Sequence, residues 1–132
     1  MPTYLYGLIL SRNAGRVPRE GVRGIDRQPI RPVACGALAA IVSTVEDAPS
    51  RQDRDAIVYH DVGLSRVVRH AVTALASRFG QTFPHDDALS REVASSPGRV
   101  RHTATLERYD GYGEMRILMR DVIDPPSSIG AS

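Results

Sequence analysis

Apolar residues recur along the chain in short continuous runs and in helically spaced stripes. Residues 3–10 are apolar and β-prone almost throughout, which is typical of a short buried strand. Gly7 inside this strand indicates a β-bulge or a close approach of another backbone, and low side-chain volume is the simpler interpretation. Residues 29–33 and 37–43 flank Cys35-Gly36. They predict a hairpin whose second strand is central and covered on both faces.

Apolar residues at helical spacing follow the hairpin. Ser50 and Asp53 fit a capping box and predict that a helix begins there. The end of this helix stays open, because propensity continues it through residues 71–76, which also fit a strand. Its apolar face is predicted to consist of Ile57, Leu64, Val68, Ala71 and Leu75.

The remaining chain alternates between helical and breaker-rich segments. Glycines and a proline interrupt residues 11–28, which predicts a mobile basic loop without a regular element. Residues 86–93 begin with two acids and predict a short helix, and residues 99–109 predict another. Residues 112–120 alternate like a last strand.

Strands at the start, middle and end, with helices between them, predict an α+β domain. We expect a mostly antiparallel sheet of four to five strands with the helices packed on one face, in a ferredoxin-like arrangement. This domain spans residues 1–122. Residues 123–132 are rich in Pro and Ser and predict a disordered tail.

Composition favours an ordinary soluble protein. The 132 residues are 42% hydrophobic and 24% charged, no run is long enough to span a membrane, and the single Cys35 indicates the cytosol. All 17 positive charges are arginine, which a GC-rich genome or a need for bidentate anion contacts would explain. The segment from Arg12 to Arg31 is therefore a candidate anion-binding loop. The net charge of +2 disfavours nucleic acid.

No catalytic or metal-binding pattern is present in the sequence. The four histidines are His60, His70, His85 and His102, and their scatter predicts surface or capping roles. Cys35 lies beside a turn with no base nearby in the sequence. We therefore expect no enzyme activity, no metal and no cofactor.

Residues 78–83, Arg-Phe-Gly-Gln-Thr-Phe, join the predicted helix or strand to the acidic helix start. In an architectural interpretation Phe79 and Phe83 fill the core, Gly80 permits a tight turn, and Arg78 pairs with Asp86 or Asp87. In a functional interpretation the segment docks a partner. The candidate partner-binding residues are Arg78, Phe79, Gly80, Thr82 and Phe83.

Several ordered motifs together resemble the gas vesicle GvpL/GvpF family over residues 4 to 120. The matching motifs are Tyr4-Leu5-Tyr6-Gly7, Gly24-Ile25-Asp26 before residues 29–33, residues 36–43 beginning at Gly36, His60 with Leu64, residues 77–83 with the acids after them, and Glu114-Met115-Arg116-Ile117. The structural residues carried over from these motifs are Tyr4, Tyr6, Gly7, Gly36, His60 and Leu64. Ala76-Ser77 and Gln81 depart from the family pattern.

The resemblance implies a non-catalytic minor gas vesicle protein that supports assembly of the gas-filled shell. Its implied partners are the shell protein GvpA or other accessory proteins, and its implied location is the gas vesicle in the cytoplasm. Family members continue into a second domain, so the chain resembles their N-terminal domain standing alone. The same resemblance favours a strand at residues 71–76. The alternative is an α+β domain that binds a small anion, or an enzyme, outside this context.

Overall fold

The computed structural model describes residues 1–18, 20–69, 72–110 and 116–118. In chain order its strands are β1 (Thr3–Leu10), β2 (Arg31–Cys35), β3 (Leu38–Thr44), β4 (Ala74–Ala76), β5 (Thr82–Phe83) and β6 (Arg116–Leu118). The helices are α1 (Arg54–Val68), α2 (Asp86–Ser95) and α3 (Arg99–Tyr109). The strands form one sheet in the order β2–β3–β1–β4–β6, and β5 also pairs with β1. Among the described strands, the β4–β6 pair is parallel and the other pairs are antiparallel.

The central strand β1 is buried at all eight positions. It pairs antiparallel with β3, and the register shifts between Leu5 and Gly7, which leaves Tyr6 as the extra residue of a β-bulge. The bulge predicted at Gly7 is therefore present, and a close backbone approach accompanies it. A Cβ on Gly7 would collide with the carbonyl oxygen of Leu75 and lie 3.2 Å from Cδ2 of Leu64.

The helices cover both faces of the sheet. Tyr4, Tyr6 and Ile9 of β1 join one apolar cluster with Leu64 and Val67 of α1. The intervening leucines of β1 join a second cluster with residues of α2 and α3: Leu5, Leu8, Leu10, Leu89, Val93 and Leu106. The α+β class and the mostly antiparallel sheet are confirmed, whereas the helices do not all pack on one face. A strand that is apolar on both sides needs cover on both sides.

The predicted hairpin is confirmed as β2 and β3 joined at Gly36, and β3 lies between two strands with six of its seven residues buried. The outer edge of β2 is protected. Pro32 has no N–H to offer a further strand. The hydroxyl of Ser90 in α2 donates to the carbonyl oxygen of Ala34 at 2.9 Å.

Helix α1 begins three residues later than predicted. The carboxylate of Asp53 accepts the N–H of Ala56 at 3.0 Å and caps the helix. Ser50 lies in the preceding turn, where its carbonyl accepts the N–H of Asp53. Ile57 is 41% exposed, so its assignment to the apolar face was wrong. The buried face consists of Ala56, His60, Gly63, Leu64, Val67 and Val68.

The later elements follow the sequence closely. Helix α1 ends at Val68 and residues 74–76 form β4, so the strand interpretation of this segment is confirmed. Helices α2 and α3 occupy the predicted segments. The strand predicted at residues 112–120 is described at Arg116–Leu118. Three predictions lie outside the described residues: the rest of that strand, the role of His70, and the tail at residues 123–132.

The arginine-rich segment contains regular structure, contrary to the sequence prediction. Ser11–Arg16 forms a 3₁₀ helix, and Ile25–Arg27 forms a single tight turn in which Asp26 and Arg27 have φ values of +58° and +57°. The guanidinium of Arg12 donates to Asp110 at 2.8 Å, and the buried Asn13 donates to the other oxygen of that carboxylate at 2.9 Å. Short 3₁₀ turns are frequent connectors between longer elements. Within the described ranges, no helix has the length and apolar character needed to cross a bilayer.

We predict that Gly7→Ala destabilises the protein by about 1–3 kcal/mol, because the new methyl group overpacks a site bounded by backbone. Urea unfolding at neutral pH measures this. Gly15→Ala is the matched control, since nothing lies within 4 Å of a Cβ at that position. Equal unfolding midpoints for the two variants would contradict the close approach at Gly7.

Candidate partner-binding site

The segment of residues 78–83, called the edge loop below, leaves the sheet after β4 and returns to it as β5. Both strands pair with β1: Gly7 and Leu8 face β4, while Thr3 and Tyr4 face β5. The edge loop therefore spans the stretch of β1 that lies between the two pairings. This position places it at the start of β1, about 20 Å from the hairpin turn at the other end of the strand.

Hydrogen bonds to β1 hold the edge loop and the residue before it. The N–H of Leu5 donates to the carbonyl of Gln81 at 3.0 Å, and the N–H of Ser77 donates to the carbonyl of Tyr6 at 3.0 Å. The Ser77 hydroxyl donates to the carbonyl of Leu5 at 2.9 Å. The N–H of Gly80 donates to the Tyr4 hydroxyl at 2.9 Å. The loop is thus bonded to the central strand on both sides of its apex.

A buried hydrogen-bond chain links the edge loop to helix α1. The Tyr4 hydroxyl lies 2.7 Å from Nδ1 of His60, and Nε2 of His60 lies 3.0 Å from the carbonyl oxygen of Ser77. A carbonyl only accepts, so Nε2 carries the proton of the neutral imidazole. Nδ1 then accepts from the Tyr4 hydroxyl, which itself accepts from Gly80. Every donor in this chain has an acceptor.

Tyr6 makes a similar set of contacts two positions further along the strand. Its hydroxyl accepts the N–H of Ile25 at 2.9 Å and shares a hydrogen bond with the Ser43 hydroxyl at 2.7 Å. Burial raises the pKa of both Tyr4 and Tyr6 above the ordinary phenol value. Both phenols are therefore neutral near pH 7 and keep their hydroxyl protons.

Four rings form an aromatic cluster behind the edge loop. The centroids of Tyr4 and Tyr6 lie 5.0 Å apart in an edge-to-face arrangement, and His60 stacks on Tyr6 at 5.8 Å. Phe79 completes the cluster, 5.8 Å from His60 and 6.2 Å from Tyr4. Such aromatic pairs add about 0.5–1.5 kcal/mol each beyond their area burial. The loop residue Phe79 is consequently fixed by the core.

The two phenylalanines of the edge loop lie on opposite faces of the sheet. Phe79 packs against the α1-face cluster, and Phe83 packs against the cluster of α2 and α3. Gly80 has a φ of +96°, which a residue with a Cβ rarely adopts. Arg78 is exposed, and Phe79, Gly80, Thr82 and Phe83 are half-buried. The architectural interpretation holds for both rings, and the loop still presents a surface.

The acidic helix start anchors the chain just beyond the loop. Asp86 accepts a bidentate pair of hydrogen bonds from Arg31, at 2.6 and 3.0 Å, and a third from the Thr3 hydroxyl at 2.6 Å. These bonds, chiefly those from Arg31, hold the pKa of Asp86 below its usual value. Asp86, one of the two predicted partners of Arg78, is thus held by Arg31 and Thr3.

The structure brings most of the predicted structural residues together. Tyr4, Tyr6 and His60 share the aromatic cluster, and Leu64 packs beside Gly7. Gly36 lies apart, in the hairpin turn. Sequence reasoning missed the role of Ser43 and the burial of His60. The signal for both was Tyr-x-Tyr within a wholly buried strand, because two buried hydroxyls require partners.

The structure agrees with the sequence prediction for one histidine and contradicts it for two. His85 caps α2, where its Nδ1 accepts the N–H of Ala88 at 3.1 Å, as predicted. His60 and His102 are buried at 7% and 1% exposure, so the surface prediction was wrong for both.

Burial raises the pKa of the Cys35 thiol, which lowers the fraction of reactive thiolate. No group of His, Cys, Asp or Glu among the described residues could hold a metal ion.

The sequence and structure comparisons with known proteins agree on one family. The profile of the family described as "Gas vesicle synthesis protein GvpL/GvpF" matches residues 2–122. Gas vesicle protein F of Streptomyces sp. (strain CB03234) is 35% identical over 89 residues, which cover 67% of this chain and 37% of that protein.

Two solved structures share the fold. The crystal structure of gas vesicle protein GvpF from Microcystis aeruginosa superposes with a TM-score of 0.67 at 18% identity, over 83% of this chain and 44% of that one. GvpF from Anabaena sp. PCC7120 gives 0.66 at 17% identity, over 83% and 45%. The chain thus spans less than half the length of these relatives.

We predict that Tyr4→Phe destabilises the protein by about 1–3 kcal/mol, because Gly80 N–H and His60 Nδ1 both lose their buried partner. Chemical denaturation measures the loss. Hydrogen exchange at Gly80 should also accelerate. Tyr59→Phe is the control, because the Tyr59 side chain also packs on the core cluster and no hydrogen bond joins its hydroxyl to the described residues. An unchanged rate of amide hydrogen exchange at Gly80 would argue against anchoring of the loop by the Tyr4 hydroxyl.

The lowered pKa of Asp86 predicts a specific pH dependence. Its contribution to stability is present above the unfolded value of about 4 and is lost as the pH falls through the lower folded value. Asp86→Asn should therefore lower stability near pH 7 by up to about 1 kcal/mol, since the pair is partly exposed. The difference from wild type should vanish toward pH 2. Thermal unfolding across this range, with Asp87→Asn as control, measures it, and a pH-independent difference would contradict the prediction.

Proposed function

The chain belongs to the gas vesicle synthesis protein GvpL/GvpF family, and from this membership we propose that it supports gas vesicle assembly by binding other gas vesicle proteins. The proposed partner is the shell protein GvpA or an accessory protein. The proposed work is adhesive and non-catalytic, and its proposed location is the gas vesicle within the cytoplasm.

The edge loop is the proposed docking element. The observation that supports it most is the combination of exposure at Arg78 with firm anchorage of the residues beside it. Phe79 and Phe83 are each half-buried and pack on the core, so part of each ring faces outward. Arginine and aromatic residues dominate the binding energy of known interfaces.

Anchorage also lowers the entropic cost of binding. Ordering a flexible loop consumes part of the interaction energy that a complex could gain. Here backbone bonds from Leu5, Ser77 and Gly80 already fix the loop in one conformation. A partner therefore meets a preformed loop that presents one cation, with one partly exposed phenylalanine on each face of the sheet.

The arginine-rich segment supports the anion-binding alternative less well. Arg12 is engaged by Asp110 and Arg31 by Asp86, and Arg23 donates to the carbonyl of Arg27. The cavity beside this segment is lined mainly by apolar residues and prolines, with Arg31 as its charged side chain. Because Arg31 is already paired, it is a poor free anchor for an anion.

We predict that Arg78→Glu weakens capture of purified GvpA by this chain at least about tenfold, because charge reversal at an interface hot spot opposes docking. Biolayer interferometry with immobilised chain measures this. Arg91→Glu makes the same charge change at an exposed position of α2 and should bind like wild type.

Two other outcomes would count against the proposal. Equal affinity of the Arg78 variant and the control would remove the edge loop from the interface. No binding by wild type to GvpA or to any co-expressed gas vesicle accessory protein would remove the adhesive role itself.

A further inference from the structure

A groove lies at the opposite end of β1 from the edge loop. It has a volume of about 410 Å³ and runs between the hairpin turn and helix α3. Its floor includes the buried Cys35 and Leu38. Its walls carry mostly small side chains, among them Ala37 and Ala104, which permit close approach of a helix.

One face of α3 forms a wall of the groove. Val100, Thr103, Ala104 and Glu107 follow the spacing of a single helical face. Val100 is 68% exposed, the second-highest exposure among the large hydrophobic residues described. An exposed valine beside an apolar groove offers both a protrusion and a recess of matching chemistry.

The two ends of this face carry opposite charges. Arg99 lies at the start of α3 and Glu107 near its end, about 12 Å apart along the helix axis. When two copies of such a helix lie antiparallel, the arginine of each meets the glutamate of the other. The charge pattern is therefore complementary to itself, as a two-fold interface requires.

Both charged side chains are available for such a contact. Arg99 is exposed and makes no ion pair with another described residue. Glu107 lies 3.5 Å from Arg12, but Arg12 donates its shorter bond, 2.8 Å, to Asp110. The Arg12 and Glu107 side chains are 58% and 54% exposed, so their contact is weak.

We propose that this groove binds a second copy of the chain, with the two α3 helices antiparallel, Val100 of each copy in the groove of the other, and Arg99 paired with Glu107 in both directions. We expect the contact patch to be smaller than the roughly 1,200 Å² of a stable interface. The resulting dimer is weak, with a dissociation constant on the order of 100 µM. This inference does not rest on the proposed binding of gas vesicle partners.

Sedimentation velocity of the full chain from about 5 to 500 µM tests the proposal. Wild type should pass from monomer to dimer across this range, and added salt should oppose the dimer. Arg99→Glu and Glu107→Arg should each weaken self-association about tenfold, because each places like charges opposite one another. Arg66→Glu, on α1 across the sheet, should leave it unchanged.

A charge-exchange experiment is the decisive test of the antiparallel pairing. An equimolar mixture of the Arg99→Glu and Glu107→Arg chains places a glutamate opposite an arginine at both contacts, and should recover dimerisation. The double variant carrying both changes should recover it as well, and circular dichroism verifies that each variant is folded.

Other outcomes would overturn the inference. A wild type that stays monomeric to the highest concentration leaves the groove to a different partner. Loss of dimer in the mixture as well as in the single variants would refute the antiparallel pairing. Binding to GvpA is proposed at the edge loop, at the other end of β1. A failure to bind GvpA would therefore leave the expected self-association unchanged.

Discussion

The burial of β1 on both faces is the constraint on which the rest of the structure depends. All eight of its residues are enclosed, so each face of the sheet must be covered by helices from a different part of the chain. Helix α1 covers the face that carries the tyrosines, and α2 with α3 covers the leucine face. The bulge at Tyr6 adjusts which residue faces which helix, because an extra residue shifts the two-residue alternation of a strand. Gly7 then permits the neighbouring backbone to approach at that point.

The same burial creates the need for a polar network. Two phenols enclosed in an apolar layer would each cost several kcal/mol without partners. His60, Ser43 and the backbone N–H groups of Gly80 and Ile25 supply these partners. Because the network joins α1, the central strand and the edge loop, it holds them relative to one another. Loop position in this protein is therefore a consequence of core chemistry.

This organisation separates two surfaces along one strand. The edge loop lies at the start of β1 and the α3 groove lies at its end, about 20 Å away. Between them the β2 edge is protected by Pro32 and by the bond from Ser90, so a further strand cannot easily add there. Under the two proposals, β1 would have one partner at each end, with no contact needed between the partners.

The sequence by itself determined most of the helices and strands, the α+β class and the resemblance to the family, since strand and helix periods and the ordered motifs are local properties of the chain. It located β1, the hairpin, α2 and α3 closely, because caps, turns and apolar runs act over a few residues. The tertiary structure alone decided the division of helices between faces, the burial of His60, and the bond between Arg31 and Asp86. Each of these depends on contacts between residues distant in sequence: Tyr4 and His60 are separated by 56 positions, and no local pattern encodes which buried hydroxyl meets which ring nitrogen.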